Sequence, residues 1–123
     1  MKHASILAFG ALLGLSAPGM ALAECQRPAV PAAKVDGAKA TMEEMTAAKD
    51  AVMGFMTASD AYQACVIEEL QAKKAEAAAA KTKPVPGLSK AADANIKANQ
   101  ADKERVGADF NAAAKAFKAA HPS

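Results

Sequence analysis

The chain has 123 residues, of which 52% are hydrophobic and only 4% aromatic, and it carries 15 basic against 13 acidic side chains. This near balance of charge excludes a general attraction to nucleic acid, because loss of Lys2 with a signal peptide leaves 14 basic against 13 acidic residues. The roughly one hundred remaining residues allow one small domain, and alanine, a strong helix former that buries little area, supplies much of its apolar content.

Residues 1–23 predict a signal peptide. Lys2 supplies a basic start, residues 4–15 are apolar, and the Ala-Leu-Ala sequence at 21–23 is a cleavage site of the small-x-small type. The apolar run is shorter than the ~20 residues of a membrane-spanning helix, so we expect cleavage and no transmembrane segment afterwards. We therefore predict an exported protein that resides in the periplasm, with secretion from the cell as the alternative.

Two cysteines remain after cleavage, Cys25 and Cys65. Exported proteins meet an oxidising environment, where an even number of cysteines indicates disulfide pairing. Their separation excludes a CxxC redox motif, and a zinc site would need histidines, of which only His121 remains after cleavage. We predict an intramolecular bridge, with an intermolecular bond or a free thiol as the alternative.

Residues 24–40 predict an extended strap, because two prolines and a glycine interrupt this stretch. Thr41 and Glu44 then match a capping box, which predicts that a first helix begins here and covers about residues 42–81. Small or apolar residues recur along it at alternating steps of three and four, typical of a coiled-coil-like seam. They are Met45, Ala48, Val52, Phe55, Ser59, Tyr62, Val66 and Leu70.

A loop is predicted at about residues 82–89, because Pro84 and Pro86 remove backbone donors that a helix needs. Ser89 is a suitable N-cap for a second helix at about residues 90–120. This helix carries a second seam with the same spacing. Its members are Ile96, Asn99, Lys103, Val106, Phe110, Ala113, Phe117 and Ala120.

Two long helices with a short loop predict an all-α fold, a long antiparallel two-helix hairpin over residues 41–123. A fold point in the proline loop places Ser59 opposite Phe110, so that a large side chain meets a small one. Asn99 and Lys103 are polar positions within the second seam, and we interpret them as residues that determine register and orientation. Two helices alone leave much of each seam uncovered, which predicts a homo-oligomer or an envelope protein partner.

Four methionines share one stripe of the first helix when residues are placed at about 100° intervals. Thioether groups suit soft Cu(I), so this stripe is a candidate site for a soft metal or a small ligand. The alternative is an interface, since methionine is a frequent filler of helical contacts, and we predict no bound cofactor. The four residues are Met42, Met45, Met53 and Met56.

Lysines concentrate around the predicted hairpin tip and form a candidate interaction site. Such a basic end suits contact with anionic lipid, peptidoglycan or lipopolysaccharide, while the alternative is a solvated tip without a partner. The lysines are Lys73, Lys74, Lys81, Lys83 and Lys90.

The sequence does not predict an enzyme. His121 stands alone near the C-terminus, and neither a nucleophile motif nor a glycine-rich phosphate loop is present. We therefore assign no catalytic residues and predict a non-catalytic structural or interaction protein of the bacterial cell envelope.

Two stretches carry a family resemblance, residues 36–70 and residues 92–122, together with both cysteines. They begin DGAKATMEEM and ADANIKANQA. The chain resembles a group of small exported helical proteins of alphaproteobacteria with unassigned function. This resemblance implies an envelope location and a helical fold, and it implies no active-site residue.

Overall fold

The computed structural model describes residues 25–31 and 34–123. The predicted signal peptide lies outside the described residues. Two helices form the structure, α1 at Met42–Ala79 and α2 at Leu88–Ala120, and they pack against each other as an antiparallel hairpin. This arrangement confirms the predicted all-α fold. Within the described residues, neither helix is both long and apolar enough to cross a membrane.

The ends of α1 follow from local backbone chemistry. Thr41 accepts a hydrogen bond from the Glu44 amide at 3.1 Å while the Glu44 carboxylate accepts one from the Thr41 amide at 2.8 Å, which confirms the predicted capping box. At the other end Lys81 adopts a left-handed conformation with φ of 54°, and the Thr82 amide donates to the Ala77 carbonyl. These bonds satisfy carbonyls that the helix end leaves free, so α1 stops two residues earlier than predicted.

α2 begins two residues before the predicted start, at Leu88. Gly87 is the N-cap residue, with φ of 81°, and no side chain caps this end. Ser89 therefore lies inside the first turn, and its predicted role as N-cap is wrong. A glycine can adopt the left-handed conformation at low cost, so the chain leaves the proline loop and enters the helix immediately after Gly87.

Two apolar clusters hold the helices together, one at each end of the hairpin. The open-end cluster, near the start of α1, is built on Ala40, Met45 and Ala113. The tip-end cluster, nearer the loop, is built on Tyr62, Val66 and Ala92. The partly buried side chains around them are Val35, Phe110, Ala114 and Phe117 at the open end, and Cys25, Leu70 and Ile96 at the tip end.

A polar layer separates the two clusters. Ser59 and Asn99 are the only side chains with 0% exposure among the buried residues described, and the Asn99 amide donates to the Ser59 hydroxyl at 3.1 Å. The Gln63 amide donates in turn to the Asn99 carbonyl oxygen at 2.9 Å. Asn99 thus uses both its donor and its acceptor inside the bundle, where an unsatisfied polar group would be costly.

This layer corrects the predicted register. Ser59 faces Asn99 instead of Phe110, which packs in the open-end cluster. α2 is therefore displaced along α1 by about three helical turns from the predicted position. Leu88 at the start of α2 lies beside Leu70 and Lys73, so the last two turns of α1 project past α2 and the loop returns along them.

The segment before α1 lies along the hairpin at several anchor points. A disulfide joins Cys25 to Cys65, with 5.7 Å between their Cα atoms, and this is the pairing that the sequence predicted. Arg27 and Lys34 form ion pairs with two α2 carboxylates, at 2.5 Å and 3.1 Å. The carboxylates belong to Asp102 and Asp109. The segment consequently runs antiparallel to α1 and parallel to α2, and we call its described residues the strap.

Gly37 is a position where the strap backbone lies close to the backbone of α2. A Cβ atom at this position would lie 1.8 Å from the Ala113 carbonyl oxygen, well inside any permitted contact. The same test at Gly54 in α1 meets nothing within 4 Å, and at Gly107 it meets only the Met56 methyl at 3.6 Å. Only the strap glycine, of these three, is therefore required by packing.

Candidate functional site

The exposed large apolar residues of α1 lie along one flank of the helix. Met42 is 66% exposed, Met53 58% and Ile67 45%. At about 100° per residue these three positions fall within an arc of about 40°. Half-buried Met56 lies at the edge of the same arc. We call these four residues the methionine face.

The strap and the methionine face lie on different flanks of the hairpin. Cys65, where the strap is attached to α1, is about 150° around the helix from the centre of the methionine face. The strap ion pairs with Asp102 and Asp109 are on the corresponding side of α2. One flank of the two-helix layer is thus covered by the chain itself, while the flank with the methionine face has no covering segment among the described residues.

The four predicted methionines do not act as one group. Met45 is 7% exposed and belongs to the open-end cluster, whereas Met42 and Met53 project from the surface. The Met42–Met45 pair and the Met53–Met56 pair are eleven residues apart, which is about 17 Å along the helix. A single metal ion therefore cannot contact all four thioethers.

A cavity at the open end brings one of these pairs next to a histidine. Its volume is 520 Å³, and Phe117 of α2 and His121, the residue that follows α2, line it beside Met42 and Met45. The His121 ring stacks on Phe117, with 4.2 Å between ring centroids, and its Nδ1 atom lies 3.0 Å from the Phe117 carbonyl oxygen. The sequence alone did not indicate that His121 lies beside these methionines, although in an antiparallel hairpin the end of α2 returns to the start of α1.

The predicted basic site is found at the tip. All five lysines are exposed, and the overhang of α1 beyond α2 carries part of the group away from the bundle. Lys73 forms an ion pair with Glu69 at 2.7 Å, as the i,i+4 spacing favours. Binding of this tip to an anionic surface stays a prediction.

Lys103, the second polar position of the α2 seam, is placed at the edge of the hairpin. Its ammonium group pairs with the Asp60 carboxylate of α1, on the same flank as the methionine face. Asn99 is the residue that occupies the interior. Both polar positions therefore contact α1, one within the core and one at its border.

The strap also forms a groove with the two helices, which the sequence did not predict. The groove has a volume of 590 Å³, and its apolar lining includes Val30, Val52 and Phe110. Arg105 and Asp109 lie at its polar edge. Described strap residues form one wall of this groove, so its existence depends on the tethered strap.

Over residues 25–31 and 34–123, fold and surface together define a strap-tethered helical hairpin with one flank that none of these residues covers. Comparison with protein-family models, with curated proteins and with solved structures finds no match for the chain.

Proposed function

We propose that this protein is a non-catalytic structural or interaction protein of the bacterial cell envelope, exported to the periplasm or beyond it. The uncovered methionine face carries this proposal, because three large apolar side chains at 45–66% exposure on one flank are characteristic of a binding surface. Methionine suits this use, since its flexible, polarisable side chain adapts to a partner.

The strap supports the same interpretation. The Cys25–Cys65 bridge ties the strap to one flank and leaves the other open. A bridge of this kind persists in an oxidising compartment, which agrees with export through the predicted signal peptide. Because the bridge orders the surface in advance, a partner would bind it at a lower cost in conformational entropy than it would bind a flexible chain.

Cross-linking in living cells tests the proposal. A photoreactive residue replaces Met53, and the control carries it at Ala61, an exposed α1 position about 80° away from Met53 on the helix surface. We expect periplasmic protein with a cross-linked product that is strong at position 53 and weak at 61. Cytoplasmic retention, or equal yields at both positions, would contradict the proposed function.

The open-end cavity favours soft-metal binding as a second function. Two thioethers and one imidazole line it, and these are ligands that Cu(I) accepts. The contact of His121 Nδ1 with the Phe117 carbonyl would leave Nε2 as the ligand atom, a common arrangement in metal sites.

Titration with Ag(I) or Cu(I) under non-oxidising conditions tests this second function. We expect one site whose affinity falls when Met42→Leu or His121→Ala is introduced, while Met53→Leu, outside the cavity, leaves it unchanged. Absence of binding at micromolar concentrations, or an equal loss with Met53→Leu, would exclude the cavity as the site.

A further inference from the structure

The methionine face is part of a longer row of positions on α1 that we call the outer seam. Its eight positions are separated alternately by four and three residues, the spacing of side chains that face a neighbouring helix. None of the eight is buried, and only two of them are half-buried. The outer seam consists of Met42, Thr46, Lys49, Met53, Met56, Asp60, Gln63 and Ile67.

The outer seam is matched in chemistry about its midpoint, the peptide bond between residues 54 and 55. Positions equally distant from this midpoint carry apolar with apolar, polar with polar, and basic with acidic side chains. The pairs are Met42 with Ile67, Thr46 with Gln63, Lys49 with Asp60, and Met53 with Met56.

Such a pattern is what a two-fold interface requires. In an isologous contact a residue i of one copy meets residue j of the other, and j meets i. Two antiparallel copies of the outer seam, centred on the midpoint, satisfy every one of these pairs twice. A parallel arrangement in the same register would instead set Lys49 against Lys49 and Asp60 against Asp60, which is unfavourable.

We propose that the outer seam is the interface of an antiparallel homodimer, so that the partner of the proposed function is a second copy of this chain. At the two-fold axis Met53 and Met56 of both copies pack together, and Met42 packs against Ile67 of the partner subunit near each end. This inference rests on the proposed function, because it names the occupant of the same uncovered flank.

The charges on the outer seam are available for this contact. Lys49 has no ion pair among those found in the described residues, and Asp60, although bound to Lys103, remains 68% exposed along its side chain. A carboxylate can accept from two ammonium groups through its two oxygens. Each interface therefore contains two Lys49–Asp60 contacts between copies, which select the antiparallel orientation.

Charge-reversal variants test both the antiparallel orientation of the dimer and the outer seam as its interface. The protein without its signal peptide is measured by sedimentation velocity over a range of concentrations, with its disulfide intact. We expect a concentration-dependent dimer that Lys49→Glu weakens about tenfold or more, because the substitution sets like charges against each other twice. Asp60→Lys alone should weaken it similarly. An equimolar mixture of the two variants should recover dimers, since each contact between them joins opposite charges.

Lys118→Glu is the matched control, because this exposed α2 position makes the same change of charge outside the outer seam. Circular dichroism melts confirm that each variant remains folded. A folded wild-type chain that stays monomeric at every concentration would overturn the homodimer. Dimers that are insensitive to both reversals, or a mixture without recovery, would overturn the outer seam as its interface. If the homodimer fails while position 53 still cross-links to another envelope protein, the proposed function stands and this inference alone is rejected.

Discussion

Ser59 and Asn99 are both fully buried in a core that is otherwise built of small and apolar side chains. Their hydrogen bond, extended by Gln63, satisfies the polar atoms that the helices bring together. Sliding one helix along the other would separate these groups and bury them without partners, which costs more than the bond itself contributes. The polar layer therefore selects one register from several that the apolar spacing allows.

Replacement of Asn99 should be more damaging than its size suggests. Asn99→Ala leaves the Ser59 hydroxyl without its partner and creates a small cavity, so we expect a loss of about 1–3 kcal/mol in the free energy of unfolding. Urea denaturation monitored by circular dichroism measures this loss. The control is Asn111→Ala at an exposed α2 position, and equal effects of the two substitutions would refute the role of the polar layer.

Gly37 offers a second test with single residues. Gly37→Ala would force the strap away from the Ala113 carbonyl, and we expect a loss of about 1–3 kcal/mol, the usual range for overpacking. Gly54→Ala should instead stabilise the protein by up to about 1 kcal/mol, since it adds a helix-favouring residue in open space. Thermal melts of both variants measure whether each substitution raises or lowers the stability. A Gly37→Ala variant with unchanged stability would show that the strap contact is not tight.

The strap is the element that turns a two-helix layer into a three-layered unit. Two exposed or partly exposed ion pairs and two half-buried valines would hold it only weakly, because surface ion pairs contribute about 0–1 kcal/mol each. The disulfide acts differently, because it closes a loop across a sequence separation of 40 residues and so lowers the conformational entropy of the unfolded chain. The strap groove and the difference between the two flanks thus depend on this covalent bond.

Removal of the bridge should lower the free energy of unfolding by about 4 kcal/mol, the value expected from the loop-closure entropy of a loop of this length. We expect the melting temperature of the reduced protein, and of the Cys25→Ser/Cys65→Ser variant, to fall together. Differential scanning calorimetry with and without reductant measures this change. Identical melts would mean that the strap adds nothing to the stability of the hairpin.

The two-helix hairpin is a rod whose length is set by α1, 38 residues or about 57 Å. The proposed two-fold axis crosses α1 nearer its start than its end. An antiparallel dimer would therefore be longer than the monomer by about 18 Å, and the two basic tips would point in opposite directions.

Small-angle X-ray scattering measures this difference directly. We expect the maximum dimension to increase by about 18 Å from the Lys49→Glu monomer to the wild-type dimer. A parallel dimer would widen the rod without lengthening it. A dimer with unchanged maximum dimension would accordingly contradict the antiparallel arrangement.

Local signals explain why much of the fold is readable from the sequence. The capping box at Thr41 and the prolines of the loop act on their own neighbours, so the helix positions follow from short stretches of chain. With only two cysteines after residue 24, one intramolecular disulfide was possible. The methionine stripe was also recognisable, although the burial of Met45 was not, because a helical wheel indicates direction and not what covers each side.

The axial position of the helices, the contact at Gly37 and the placement of His121 depended on the folded molecule. A repeat of three and four residues specifies which face of a helix is buried, but sliding by one heptad preserves that face. The energy that distinguishes one offset from another comes from contacts distant in sequence, such as Asn99 with Ser59 and the strap with Ala113. The chain alone thus determined two helices, a tether and an apolar stripe, while long-range packing determined their register and which flank stays open.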